Sequence, residues 1–316
     1  MKKYLKNFAL LTVIVTGIVF ITNKWISIVS SMKDNLPLGG GKFYNWKYGK
    51  IYYTKSGKGK PVLLVHDLDV ASSAYEWSKI VNKLSRTNTV YAIDLLGCGR
   101  SEKPNITYTN YLYVQLVNDF IREIIGEKSD IVTTGSSLSF VLMACQIESK
   151  YYDKIIGVNP ADLYELAKAP SKRKNGLKFA IELPVIGTFI FNMALSKNHI
   201  IDKMVNEWFF KGHLVSPQLV DAYYQSAHID DGKGKYLLAS IKSNYTNINI
   251  VPALKKINNS ICLVGGKEHP FIDEVIDSYK EYNPAIEDAY VSNTCNLPQL
   301  EAPEKFVELL QILLQS

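Results

Sequence analysis

The chain has 316 residues, 47% of them hydrophobic, which is enough for one large α/β domain or at most two domains. Its formal net charge is +6, with 36 Lys and Arg against 30 Asp and Glu. Nearly all the cations are Lys, and they are scattered along the sequence. A nucleic-acid surface concentrates basic residues on one face and uses Arg for bidentate contacts, so the charge does not indicate nucleic-acid binding.

The cysteines give no sign of a metal site or of a disulfide framework. Cys98, Cys145, Cys262 and Cys295 show no C-x-x-C or Cys/His spacing. We therefore expect no metal and no cofactor.

The first 31 residues combine a basic start with a long apolar run. Lys2, Lys3 and Lys6 precede an uncharged stretch over residues 7–23. Such a start is either a cleaved signal peptide or a membrane-spanning anchor. No A-x-A-like cleavage site follows, and the apolar character extends past the usual signal length. We therefore expect residues 1–31 to remain as a membrane anchor.

The charges on either side of the run predict its orientation. Three lysines and the terminal amine precede it, whereas Lys24 and Lys33 follow it. By the positive-inside rule the N-terminus lies inside and the following domain outside. We expect a single-pass protein of the cell membrane with its domain on the extracytoplasmic side. A polar, Gly-rich tether over residues 32–42 joins the anchor to that domain.

From residue 43 onward, strand and helix patterns alternate. A hairpin is predicted around Tyr48-Gly49-Lys50. Residues 62–65 and 90–93 are continuous apolar runs, typical of strands buried on both faces. Residues 74–84 and 111–125 have helical patterns. The alternation predicts a mostly parallel sheet with helices on both faces.

Residues 129–149 predict a strand, a tight turn and a helix. The turn holds Gly135-Ser136-Ser137-Leu138-Ser139, which fits four of the five positions of the G-x-S-x-G nucleophile elbow. In that device a serine stands on a sharp turn, and the next backbone N–H faces a developing oxyanion. Ser137 is the candidate nucleophile and Leu138 the candidate oxyanion donor. The alternative is a buried, Ser-rich turn without chemistry.

Five segments, in order along the chain, resemble the α/β-hydrolase superfamily: PVLLVH, DLLGCGRSEKP, TGSSLS, LVGGKEHP and LPQLEAPEKFVELL. All five lie at predicted strand ends, where ligands bind in open α/β sheets. The resemblance implies an α/β-hydrolase fold over residues 43–316, with a helical cap at about residues 160–259. It also implies a serine hydrolase acting on an ester or amide bond.

The resemblance also places the remaining catalytic positions. Glu268 stands where the triad acid belongs, but Asn296 occupies the histidine position, and asparagine cannot act as a general base. His269 and His66 are the candidate surrogate bases. Asp67 replaces a glycine of the oxyanion loop, where a carboxylate has the wrong sign beside a developing anion.

We therefore expect a membrane-anchored, serine hydrolase-like protein with an impaired triad and weak turnover at best. Removing the histidine of a serine protease lowers turnover on the order of a millionfold. The alternative is a non-catalytic hydrolase-fold protein that binds a small apolar ligand or a membrane-associated partner. Under either hypothesis the partners are a small apolar or ester molecule and the membrane, with no nucleic acid.

Overall fold

The computed structural model describes residues 2–32, Leu36 and residues 40–315. Most of the predicted tether, including Lys33, lies outside the described residues. In the described part, three strands come first from residue 42, and helices then separate each later strand from the next.

One mixed sheet organises the domain. Its strands are β1 (Lys42–Trp46), β2 (Gly49–Ser56), β3 (Lys60–Val65), β4 (Asn88–Ile93), β5 (Ser129–Thr134), β6 (Tyr152–Val158), β7 (Ser260–Gly266) and β8 (Glu287–Val291). Among the described residues the sheet has eight strands in the order β1-β2-β4-β3-β5-β6-β7-β8. β2 pairs antiparallel with β1 and β4, and every other pairing is parallel. The predicted fold class, a mostly parallel α/β-hydrolase sheet, is confirmed.

Helices cover both faces of this sheet. The α-helices of the described residues, including those of the cap, are α1 (Lys2–Ser31), α2 (Val81–Leu84), α3 (Asn110–Phe120), α4 (Ser137–Ile147), α5 (Leu163–Leu166), α6 (Lys172–Glu182), α7 (Ile186–Ala194), α8 (Lys197–Lys203), α9 (Pro217–His228), α10 (Lys235–Lys242), α11 (Val251–Leu254), α12 (Ile272–Tyr282), α13 (Pro298–Glu301) and α14 (Pro303–Gln315).

The apolar run of β3 shows how the sheet divides the core. Leu63 and Val65 belong to one buried cluster, and Val62 and Leu64 to another on the opposite face. This alternation follows from the two-residue period of a strand. Burial on both faces explains why the run is continuously apolar.

The predicted helix over residues 74–84 is broken. Residues 74–77 form a 3-10 turn, and only residues 81–84 are α-helical. Asp94, directly after β4, holds this turn by accepting a hydrogen bond from Ala74 N at 2.7 Å. Glu76 and Trp77 are buried as a result.

The described chain between β6 and β7 is helical, and we call residues 163–254 the cap. Helix α1 packs against cap helices α7 and α9. Asn23 Nδ2 donates to Val185 O at 2.9 Å, and Asn192 Nδ2 donates to Asn23 Oδ1 at 2.9 Å. Lys24 also forms an ion pair with Asp231.

Helix α1 is a candidate membrane span. Its apolar stretch covers 27 residues, with a mean hydropathy of 1.9 in its most apolar window, and that window is exposed. Among the described residues it alone is long and apolar enough to cross a bilayer, unless the bent pair α6–α7 is counted as one span. A signal sequence has the same features.

Candidate active site

A cavity of about 180 Å³ opens at the carboxyl ends of the central strands, the position expected for a ligand in this type of sheet. A closed cavity of about this size can hold a molecule such as benzene. Its walls come from the loop after β3, the ends of β5 and β6, the cap and the loop before α13. The lining residues are Asp67, Asp69, Ser72, Glu76, Thr134, Gly135, Asn159, Lys203, Trp208, Tyr223, Asn296 and Leu297.

The sharp turn between β5 and α4 is made at Gly135. Its φ is +57°, and its N–H donates to Val158 O at 2.9 Å, so it continues directly from the strand. Ser136 stands at the N-cap position, and Ser137 is already the first residue of the helix. Gly135 lines the cavity and carries no side chain.

Ser137 does not stand clear of the sheet as predicted. Its side chain is fully buried, and its hydroxyl donates to His66 O at 2.7 Å. It is absent from the cavity wall. Because Ser137 already belongs to the first turn of α4, its side chain is directed under the loop after β3.

The carboxylate of Asp67 fills the space above Gly135. A Cβ built on Gly135 would lie 2.3 Å from Asp67 Oδ1. The same oxygen accepts from Leu68 N at 2.8 Å, from Ser136 N at 2.8 Å and from Ser136 Oγ at 2.9 Å. Two converging backbone N–H groups are the arrangement that stabilises an oxyanion in acyl transfer. Here they bind a side chain of the same protein.

The oxyanion prediction is therefore wrong in its geometry. Leu138 N lies within the helix and donates to Gly135 O at 3.4 Å. The donors that converge on one point are Leu68 N and Ser136 N. Asp67 does lie in this region, but as the acceptor that occupies the donors.

A second acidic side chain lies beneath Asp67. Glu76 is buried. Its burial, and to a smaller extent the nearby charge of Asp67, raises its pKa to about 8, although a hydrogen bond from Ser72 acts to lower that pKa. Thr134 Oγ1 and Tyr223 OH each donate to Glu76, at 3.2 Å. Burial also raises the pKa of Asp67, against the hydrogen bonds from Ser136. Glu76 is therefore largely protonated at neutral pH.

Asn296 lines the cavity from the loop before α13. Its N–H donates to Trp208 O at 2.9 Å, which ties this loop to the cap. Asn159 Nδ2 holds the same loop by donating to Cys295 O and Asn296 O, each at 2.9 Å. Asparagine thus faces the cavity at the position where the resemblance placed a histidine.

Glu268 is not brought together with these residues. Its side chain is exposed on the loop after β7, outside the cavity wall. Its N–H donates to Thr294 O at 2.9 Å, which fixes the backbone of that loop.

The candidate surrogate bases also lie outside the cavity wall. His66 is buried, with Nδ1 2.7 Å from Asp67 O and Nε2 accepting from Leu95 N at 3.0 Å. Both ring nitrogens are used by the backbone, and burial lowers the pKa of the ring to about 4. His269 is half-buried, and burial lowers its pKa as well. In this geometry neither ring can accept a proton within the cavity.

Of the residues in the cavity wall, only Asp67 and Asn296 were predicted as site residues from the sequence. Glu76 was assigned to a helix, and Asn159 to no element. Trp208 and Tyr223 come from the cap, where aromatic residues are more often core. Asn159 precedes Pro160 directly after a strand, and this turn signal was the one sequence feature that pointed to it.

A family model described as the alpha/beta hydrolase family matches residues 62–309. A 2-hydroxy-6-oxo-6-(2'-aminophenyl)hexa-2,4-dienoic acid hydrolase of Metapseudomonas resinovorans is 38% identical over 82 residues, which is 26% of this chain and 28% of that protein. A soluble epoxide hydrolase of Corynebacterium sp. is 29% identical over 93 residues, 29% of this chain and 32% of its own length. The chain thus matches less than a third of either relative.

Solved structures match over much longer ranges. A serine hydrolase involved in carbazole degradation has a TM-score of 0.70 at 18% identity, covering 87% of this chain and 98% of its own. A bacterial membrane phospholipase A has a TM-score of 0.68 at 17% identity, covering 100% of this chain and 98% of its own. At these identities the likeness concerns the fold. The family model, which matches more than half of the chain, shows that this chain belongs to the alpha/beta hydrolase family.

Proposed function

We propose that this protein is a membrane-anchored, non-catalytic member of the family that binds a small molecule in the cavity above Gly135. The observation that carries the proposal is the position of Asp67 Oδ1 between Leu68 N and Ser136 N. These donors would have to receive the oxyanion in ester or amide hydrolysis. A resident carboxylate blocks that position both sterically and by its charge.

Two further features also oppose hydrolysis. Gly135 provides no nucleophile on the sharp turn, and Asn296 provides no base beside it. Loss of one oxyanion donor alone lowers turnover by about a hundred- to a thousandfold. Loss of the histidine costs on the order of a millionfold. These losses leave no serine mechanism with useful turnover.

The cavity itself supports a binding role. Asp69 and protonated Glu76 supply polar groups, and Trp208 and Tyr223 supply aromatic walls. Ligand sites commonly combine an apolar wall with a few polar groups that fix orientation. The ligand is therefore a benzene-sized molecule with at least one hydrogen-bonding group, and it is less purely apolar than the sequence suggested.

The contacts of α1 support an uncleaved anchor. Asn192 is buried in the cap and donates to Asn23, and Lys24 pairs with Asp231. Cleavage after the apolar run would remove the partner of a buried amide, which costs about 1–3 kcal/mol. These contacts favour an anchor that stays on the folded protein over a cleaved signal peptide.

Two assays on the full chain in nanodiscs test the proposal. We expect no fluorophosphonate labelling and no turnover of p-nitrophenyl butyrate above that of Ser137→Ala. Saturation-transfer NMR with a panel of benzene-sized alcohols, amines and amides should detect binding to the wild type and not to Asn296→Phe, which fills the cavity. Robust turnover that Ser137→Ala abolishes would overturn the non-catalytic claim. Absence of binding across the panel would overturn the binding claim.

One observation favours a second candidate function. The Asp67 carboxylate occupies the space that a nucleophile's side chain at position 135 would fill. Asp67 Oδ2 is therefore a candidate nucleophile toward an epoxide carbon. The new C–O bond forms as the epoxide C–O bond breaks, and protonated Glu76 supplies the proton to the alkoxide. The partial match to an epoxide hydrolase is consistent with this chemistry. Intact mass spectrometry after incubation with styrene oxide should then show an adduct that Asp67→Asn abolishes. The non-catalytic proposal expects none.

A further inference from the structure

Helix α7 of the cap has an apolar stripe that the domain does not cover. Ile186, Phe189, Ile190 and Met193 are spaced i, i+3, i+4 and i+7, and all four are exposed. This spacing places them on one face of the helix. Phe191 and Asn192, on the other side, are buried in the cap. The exposed stripe therefore requires an occupant outside this domain.

The position of α7 relative to α1 indicates what that occupant is. Asn23, the last residue of the uncharged run of α1, bonds to Val185 just before α7 and to Asn192 near the end of α7. Helix α7 is therefore held at the level of Asn23 and Lys24, and Lys24 is the first cation after the uncharged run of α1.

The start of α7 also contacts the apolar part of α1. An apolar groove of about 300 Å³ is lined by Val185 and Ile186 on one side and by residues of α1 on the other: Leu11, Thr12, Val15, Thr16 and Val19. With a rise of 1.5 Å per residue, these α1 residues lie roughly 6–18 Å beyond Asn23 toward the N-terminus. If α1 crosses a bilayer, Ile186 lies at the boundary between headgroups and acyl chains.

Helix α6, which precedes α7 in the chain, carries exposed basic residues at its start. Lys172 and Arg173 are exposed in the first turn of α6, and exposed Leu177 and Phe179 follow. α6 and α7 meet at an angle of 99°, and together they are long and apolar enough for a broken or re-entrant membrane segment. Cations beside an apolar face are typical of helices that lie in the interface of an anionic membrane.

We infer that α6 and α7 form an interfacial membrane element, with the α7 stripe in the acyl-chain boundary of the leaflet that α1 enters. This inference rests on the proposed anchor, because α1 sets the depth of α7. The occupant of the stripe is therefore the lipid of the same bilayer. Since α9 contacts α1 and contributes Tyr223 to the cavity, the interfacial element and the ligand site belong to one packed unit.

Site-directed fluorescence on the full chain tests the inference. The four native cysteines are buried, so a nitrobenzoxadiazole label will react with a single introduced cysteine. The probe variants are Phe189→Cys and Met193→Cys. Val13→Cys reports on the anchor, and Ile312→Cys, exposed on α14, is the matched control. Each is placed in nanodiscs of phosphatidylcholine and phosphatidylglycerol that contain lipid spin-labelled near the top of the acyl chain, for α7, or near its methyl end, for Val13, or no spin label.

We expect labels at Phe189 and Met193 to be quenched by the spin-labelled lipid at least about twofold more strongly than the label at Ile312. Quenching at Val13 alone would leave the anchor intact and overturn the interfacial element. No quenching at Val13 would overturn the anchor and, with it, this inference. A blue-shifted but unquenched label on α7 would show a protein partner, such as a second copy of the chain, and would also overturn it.

Discussion

Asp67 Oδ1 lies 2.8 Å from Ser136 N, so the backbone donor that follows the sharp turn is bound to a carboxylate from the neighbouring loop. The arrangement resembles a site with an anion already bound. It requires Gly135 to lack a side chain, since any Cβ there would clash with Asp67. The two positions therefore depend on each other.

This dependence is measurable as a coupling energy. Gly135→Ala should destabilise the fold, because its Cβ meets Asp67 Oδ1 and its φ is positive. Asp67→Gly should remove the steric part of that cost. We expect the double variant to lose less free energy of unfolding than the two single variants lose together. The difference should exceed about 1 kcal/mol, measured by thermal unfolding. Simple additivity would show that the two residues do not contact each other.

The raised pKa of Glu76 predicts a pH dependence of stability. Its pKa in the fold is about 8, against an ordinary value of 4.5 for a glutamate, so the folded state retains a proton that the unfolded state loses. The stability that this proton contributes is complete below pH 4.5 and declines as pH rises through 8. Glu76→Gln should therefore be more stable than wild type at pH 8, by about 2 kcal/mol or more, and similar to it at pH 4.5. Equal pH profiles for the two proteins would contradict a buried, protonated Glu76.

The docking of α1 predicts a specific effect in the cap. Asn192→Ala removes a donor to Asn23 and should lower the free energy of unfolding by about 1–2 kcal/mol. Asn206→Ala is the control, because that exposed amide bonds to Asp202 one turn away in the same segment. Thermal unfolding of the full chain in detergent compares them. Equal stabilities would mean that α1 does not pack on the cap in solution.

The fold was predictable because it depends on repeated local patterns. The apolar runs at residues 62–65 and 90–93 predicted strands buried on both faces, and they are β3 and β4. The turn at residues 135–137 was harder to predict. A motif match compares residue letters, whereas the turn forms where a positive φ costs least, and that is at Gly135.

The remaining site residues depend on long-range packing. The sequence predicted that the charge of Asp67 opposes an oxyanion. It did not predict the hydrogen bond from Ser136 N to Asp67, because these residues are 69 positions apart. Tyr223 reaches Glu76 across 147 positions. Local sequence patterns contain no information on such contacts.

The most direct test of the central claim is to rebuild the site at Gly135. The triple variant Gly135→Ser, Asp67→Gly, Asn296→His supplies a nucleophile on the turn, frees the donors and adds a base. We expect it to hydrolyse p-nitrophenyl butyrate at least about a hundredfold faster than wild type, and the further change Ser137→Ala should leave this gain intact. Asn296→His alone should remain at the wild-type rate. Activity in Asn296→His alone that Ser137→Ala abolishes would instead make Ser137 the nucleophile and contradict the account.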